Sequence, residues 1–154
     1  FDPRNDFTAI STYPSFAFAS AADIPEKYYS QLRAYNDDKP IVIAEVGWPS
    51  EGRTRNAAVA STANQAAFLR RFLRLAGHED YIYYLMEAFD QPWKLDHPDH
   101  AEEEAHWGLL TAKGLPKMAA RWIAGPPGYP RPRILTTLSN ASPTASSRVS
   151  PSSS

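Results

Sequence analysis

The 154 residues carry 16 Lys and Arg against 17 Asp and Glu, a formal net charge of −1, and the two signs are mixed along the chain. That balance argues against a nucleic-acid surface or a polybasic membrane patch, and no apolar run reaches the roughly 18–20 residues of a membrane span. The absence of cysteine excludes a disulfide framework and thiolate metal sites.

A chain that opens "FDPRNDFTAIS" reads as an excerpt of something longer, with no signal-peptide pattern. "FTAISTYP" (7–14) is a short strand ended by a proline. "DIPEKYYSQLRAY" (23–35) reads as a helix capped by Asp23, with Pro25 in its first turn and Glu26 at the capping-box position. Tyr28, Leu32 and Tyr35 form its apolar face. "IVIAEV" (41–46) is the second strand, stopped by Gly47, Trp48 and Pro49. "STANQAAFLRRFLRLA" (61–76) is the second helix. Thr62 and Gln65 have capping-box spacing, Leu69, Phe72, Leu73 and Ala76 make the buried stripe, and Arg70, Arg71 and Arg74 face solvent. "YIYYLMEAF" (81–89) is the third strand and "LPKMAARWIA" (115–124) the last helix. Beyond them "GPPGYPRP" (125–132) breaks the chain, and the Ser/Pro/Ala-rich run 138–154 has little to bury. Residues 1–124 are therefore expected to be the folded part, and 125–154 a disordered tail or linker.

Strand and helix alternating three times predicts an α/β fold of parallel strands joined by crossovers. Near-continuous apolar strands predict a sheet buried on both faces. Three such units fit part of a barrel or part of an open doubly wound sheet.

Polar and aromatic residues gather at the strand ends: Tyr13 after the first, Glu45 and Trp48 after the second, Glu87, Asp90 and Trp93 after the third. That carboxyl-end rim is where parallel α/β folds bind ligands. An ionised Glu45 at a strand end costs several kcal/mol unless donors or cations compensate, so the bland reading pairs it with a basic neighbour. Trp48 three residues on, and a second carboxylate at Glu87, favour a cleft instead. Carboxylates converging on one cleft are the working parts of glycoside hydrolysis. His97, His100 and His106 sit among acidic residues, but their spacing matches no metal-ligand pattern, and a solvated loop is the better reading.

"AEVGWPSEGR" (44–53), "NQAAFLRRFL" (64–73), "YLMEAFDQPWK" (84–94) and "EAHWGLL" (104–110) together resemble the C-terminal part of glycoside hydrolase family 17. The β-1,3-glucanases and glucanosyltransferases of bacteria and fungi are the nearest members. The resemblance implies a clan A (β/α)8 TIM barrel, of which this chain would supply strands six to eight with their helices. It also implies a retaining mechanism without a cofactor or metal, a β-glucan oligo- or polysaccharide as partner, and an extracytoplasmic or cell-envelope location. Membrane contact would come only through segments outside these 154 residues. In the resemblance Glu45 matches the nucleophile, and Tyr13 a hydroxyl that orients it or lines the cleft. Trp48 and Trp93 would stack on glucosyl rings, while Glu87 and Asp90 would bind sugar hydroxyls or hold the nucleophile's neighbours. Lys94, Glu104 and Trp107 match residues beside the cleft. The family's acid/base is a Glu in an Asn-Glu pair at the end of strand four, and no Asn-Glu pair occurs here. The expectation is a nucleophile-bearing fragment, inactive and aggregation-prone alone, because open strand edges invite pairing. A β-1,4-galactanase of the same clan, and a non-catalytic glucan-binding module linked to a glucan synthase, are the alternatives.

Overall fold

Three short runs of apolar and β-branched residues pair as a parallel sheet in the order β1 (Thr8–Thr12), β2 (Ile41–Val46), β3 (Ile82–Leu85). The structure is a computed structural model that describes residues 6–32, 39–53, 57–79 and 81–124. The expected tail at 125–154 lies outside the described residues, as does Tyr35 of the first predicted helix.

The register aligns Ile10 with Ile43 and Tyr83, and Thr12 with Val46 and Leu85. This face packs on the helices. Ile43 and Val46 are fully buried, and Tyr83 meets Phe72 edge-on at 5.1 Å. The opposite face carries Ala9, Ser11, Val42, Ala44, Ile82 and Tyr84, and is buried much less. Ile82 is 46% and Tyr84 54% exposed, so the expectation of a sheet buried on both faces is not met among the described residues. The helical core covers one side.

The long helix α2 (Thr62–Glu79) supplies that cover. The predicted stripe is buried, and Ala66 and Phe68 extend it. Phe68 stacks on Phe72 at 6.0 Å, and Phe72 meets Tyr29 edge-on at 5.3 Å. Each fully buried aromatic of this kind contributes about 1.5–3 kcal/mol. The predicted capping box does not form. Ser61 caps instead, its hydroxyl accepting the Asn64 N–H at 3.0 Å, while Gln65 is drawn inward by other partners.

The first predicted helix is broken. A 3-10 turn, Ala21–Asp23, opens with Ser20, whose backbone N–H donates to the Asp23 carboxylate at 2.9 Å. A short α1 (Lys27–Ser30) follows Pro25, a residue with no N–H to continue a ladder. Among its described residues this segment buries Ala21, Ile24 and Tyr29, with Tyr28 half-buried between Tyr29 and Phe18. The last helix, α3 (Met118–Ala124), packs its buried Ala119 toward α2, and Arg70 lies 5.5 Å over the Trp122 ring. No helix among the described residues is long and apolar enough to cross a membrane.

Candidate active site

Strict alternation along β2 would put Glu45 on the same face as Ile41 and Ile43, against the helices. The pairing prevents this. β1 advances one residue, from Ile10 to Ser11, while β2 advances two, from Ile43 to Glu45. The extra residue, Ala44, makes a bulge that re-aims the residues after it. Val46 takes over the buried face, and Glu45 emerges exposed beside Ser11. That is how an apolar strand delivers a carboxylate to its open rim.

Tyr13, the residue after β1, donates its hydroxyl to Glu45 Oε2 and stands 3.2 Å from Met86 Sδ. Its ring meets Trp107 edge-on at 5.7 Å and Phe16 at 5.5 Å. Burial above all, then the hydrogen bond to Glu45 and its charge, push the Tyr13 phenol well above its ordinary range. Glu104 and Glu87 add smaller contributions of the same sign. The phenol stays protonated at neutral pH and remains a donor.

Glu87 is held differently. Lys94 Nζ donates to its Oε1 at 3.1 Å and the Gln91 amide donates to Oε2, so both oxygens are engaged. The Lys94 and Glu87 side chains are only 13% and 16% exposed. Asp90, expected near substrate, is tied into the loops. It accepts from Lys117 Nζ and from the Gly108 N–H at 3.1 Å. Lys117 also donates to Ser50 Oγ at 2.6 Å, and that hydroxyl donates to the His106 carbonyl at 2.9 Å. This network joins the loop after β2, the loop after β3 and the start of α3.

Trp48 is a correction. It is 1% exposed, packs on Phe68 at 5.6 Å and donates Nε1–H to the Val59 carbonyl at 3.2 Å, so it presents no face to a sugar. An indole after a strand serves equally as core, and here α2 claims it. Trp107 is also buried, at 3% exposure, and backs Tyr13. Trp93, on the 3-10 turn Pro92–Asp96, is 61% exposed and presents an open ring face. Glu104, on the turn Glu102–Ala105, is half-buried and lines a small pocket with Ser15, Phe16 and Trp107.

Two residues have positioning roles that the sequence pattern does not signal, Gln65 being marked there only for a capping box. Lys117 is one. Gln65 is the other, its Nε2 lying within reach of the carbonyls of Trp48 (3.1 Å), Trp107 (3.3 Å) and Gly108 (3.1 Å). Two glycines are required by close approach. A Cβ on Gly47 would lie 2.3 Å from the Met86 carbonyl oxygen, and one on Gly108 would lie 2.1 Å from the Asp90 nitrogen. The histidines do not converge on an ion. His97 and His100 stack at 4.7 Å, with His100 Nδ1 against the Lys94 carbonyl at 3.2 Å. Among the described residues no three metal-ligating side chains cluster.

A solvent-open carboxylate, one oxygen held by a protonated phenol and the other unencumbered by that bond, is suited to nucleophilic attack. Comparisons with known proteins identify the family. The chain is 40% identical over 86 residues to a glucan 1,3-beta-glucosidase of Arthroderma benhamiae, covering 52% of this chain and 27% of that protein. It is 31% identical over 113 residues to a probable family 17 glucosidase of Saccharomyces cerevisiae, covering 70% of this chain and 28% of that protein. It superposes on the family 17 β-1,3-glucanosyltransferase of Rhizomucor miehei with a TM-score of 0.63 and 25% identity, over 75% of this chain and 42% of that one. The chain thus spans between about a quarter and two-fifths of these relatives. The family model for the BtgE/BtgC glycoside hydrolase domain matches residues 3–108, and the chain belongs to that family, within glycoside hydrolase family 17.

Proposed function

We propose that β1 to β3 are strands six to eight of a (β/α)8 barrel, and that their rim is the nucleophile-bearing part of a retaining β-1,3-glucan hydrolase or transglycosylase. The observation that carries this reading is the bond from the Tyr13 hydroxyl to Glu45 Oε2, made at the carboxyl ends of neighbouring parallel strands. With Oε2 held, Oε1 attacks the anomeric carbon of a bound glucosyl unit. The glycosidic C–O bond breaks, and a glycosyl ester forms on Glu45. Water or a sugar hydroxyl then displaces that ester, giving hydrolysis or transfer. Trp93 offers the open ring face for a neighbouring sugar. Glu87, with both oxygens engaged, serves to hold Lys94 and Gln91 in place.

A retaining mechanism needs a second carboxyl group about 5–5.5 Å from the nucleophile to protonate the leaving oxygen. No Asn-Glu pair is present in the 154 residues, so that role is assigned to none of them. A donor that leaves without protonation bypasses the requirement. A 2-deoxy-2-fluoro-β-laminaribiosyl donor with a dinitrophenolate leaving group is therefore expected to form a stable adduct on Glu45, located by peptide mass mapping and lost in Glu45→Gln. An adduct on another residue, or none on folded protein, would refute the assignment. Unactivated laminarin is expected to be left intact by the 154-residue chain, and turnover lost in Glu45→Gln would overturn that part. Because the substrate is an extended polymer, we infer an extracytoplasmic or cell-envelope location.

A further inference from the structure

The thioether beside the nucleophile's support has no part in the glycosyl transfer described above. Met86 is one of two methionines in the chain, half-buried at the end of β3, with Sδ 3.2 Å from the Tyr13 hydroxyl. The other, Met118, is 51% exposed at the start of α3 and touches none of this machinery in the bonds described. We propose that Met86 is an oxidation site, and that its sulfoxide uncouples Tyr13 from Glu45. The consequence for activity rests on the reading of Glu45 as nucleophile.

Tyr13 has one phenolic proton and two acceptors within reach, Glu45 Oε2 and Met86 Sδ. A thioether is a weak acceptor, so the phenol's hydrogen bond is shared unequally, the stronger part to the carboxylate and a weaker part to sulfur. Oxidation by hydrogen peroxide makes the second acceptor both stronger and larger. A sulfur lone pair attacks the peroxide, the O–O bond breaks, one oxygen stays on sulfur, and the other leaves as water. Sulfur loses two electrons and the peroxide gains them. The sulfoxide oxygen is a strong acceptor placed beside the phenol. It competes with the carboxylate for the Tyr13 hydrogen bond and its added bulk crowds the ring, and both effects weaken the bond to Glu45.

The Met86 backbone is pinned where it stands. Its N–H donates to the Val46 carbonyl at 2.9 Å, and its own carbonyl stands so close to Gly47 that a Cβ there would be 2.3 Å away. The ring of Trp107 backs Tyr13. With the backbone of Met86 fixed and Trp107 behind Tyr13, the added oxygen bears on the phenol and its bond to Glu45. Methionine sulfoxide reductase reverses the modification.

The test is a peroxide titration of the 154-residue protein, with both methionines followed by peptide mass mapping and Glu45 labelling measured at each dose. The labelling rate is expected to fall about tenfold or more as Met86 sulfoxide accumulates, the scale of one lost charge-assisted hydrogen bond. It should follow Met86 and not Met118, and recover with the reductase. Comparing each variant with its own untreated sample, Met86→Leu should abolish the peroxide sensitivity and Met118→Leu should retain it. Full Met86 sulfoxide with unchanged labelling, or a Met86→Leu protein still inactivated, overturns the proposal. If the untreated protein never labels, the nucleophile assignment fails, and the coupling is read from oxidation rates alone. A hydrogen bond to sulfur withdraws its lone pair, so Tyr13→Phe should speed Met86 oxidation relative to Met118 in the same molecule. An unchanged ratio rejects the Tyr13–Met86 coupling.

Discussion

Two glutamates close neighbouring strands, and the fold treats them in opposite ways. Glu45 is exposed and held through one oxygen by a neutral phenol. Glu87, at the next strand end, is 16% exposed, with an ammonium on one oxygen and an amide on the other. The contrast shows that position at a strand mouth does not by itself decide how a carboxylate is bonded. A full set of donors commits its lone pairs to structure, whereas at Glu45 the donor among the described residues is one neutral phenol, which orients the carboxylate through Oε2.

The sharpest way to break this comparison is to neutralise each carboxylate in turn. Glu45→Gln should abolish adduct formation with little change in thermal midpoint. Glu87→Gln should act mainly on stability, costing about 1–3 kcal/mol by leaving Lys94 poorly paired, read from denaturant unfolding. The reverse pattern would exchange their roles.

The loops behind both ends hang on the Lys117–Asp90 pair, whose side chains are 8% and 11% exposed. Lys117→Met strands a buried carboxylate and should cost about 3–5 kcal/mol. The double variant with Asp90→Leu should recover much of that loss, and failure to recover would mean the pair does more than neutralise itself.

Tyr13→Phe should slow labelling of Glu45 about tenfold, since one hydrogen bond to a charged group is removed. It should leave Glu87 and its partners unaffected.

A smaller effect appears in alkali. The folded Tyr13 phenol is held above its ordinary value, so its contribution to stability is complete below the unfolded value of about 10. As pH rises past that value the unfolded chain releases the proton first, and the contribution is lost toward the folded value. Tyr29 is raised too, chiefly by burial, so it adds to the same slope. Stability between neutral pH and strongly alkaline pH should fall, and Tyr13→Phe should make the fall shallower. An identical slope in the variant would show that the phenol is not held as described.

The smallest effect expected is at Trp93, where substitution by Ala should weaken laminari-oligosaccharide binding by about 0.5–1.5 kcal/mol with no loss of stability. Trp48→Ala should instead cost about 3–5 kcal/mol of stability as a core deletion.

What was legible in the sequence was local. Apolar runs between chain breakers predicted all three strands. The 3.6-residue stripe predicted α2, and strand-end placement singled out Tyr13 and Glu45. These patterns need only neighbours along the chain. What the tertiary structure alone decided depends on partners far apart in sequence. The direction of Glu45 comes from a bulge that exists only once β2 pairs with β1. The burial of Trp48 comes from Phe68 on α2, and the use of Asp90 as an anchor comes from Lys117, 27 residues away. Glu45 and Glu87 are the same residue at similar strand ends. Their difference comes from which side chains the fold brings within hydrogen-bonding range, because burial and pairing are properties of the packed molecule.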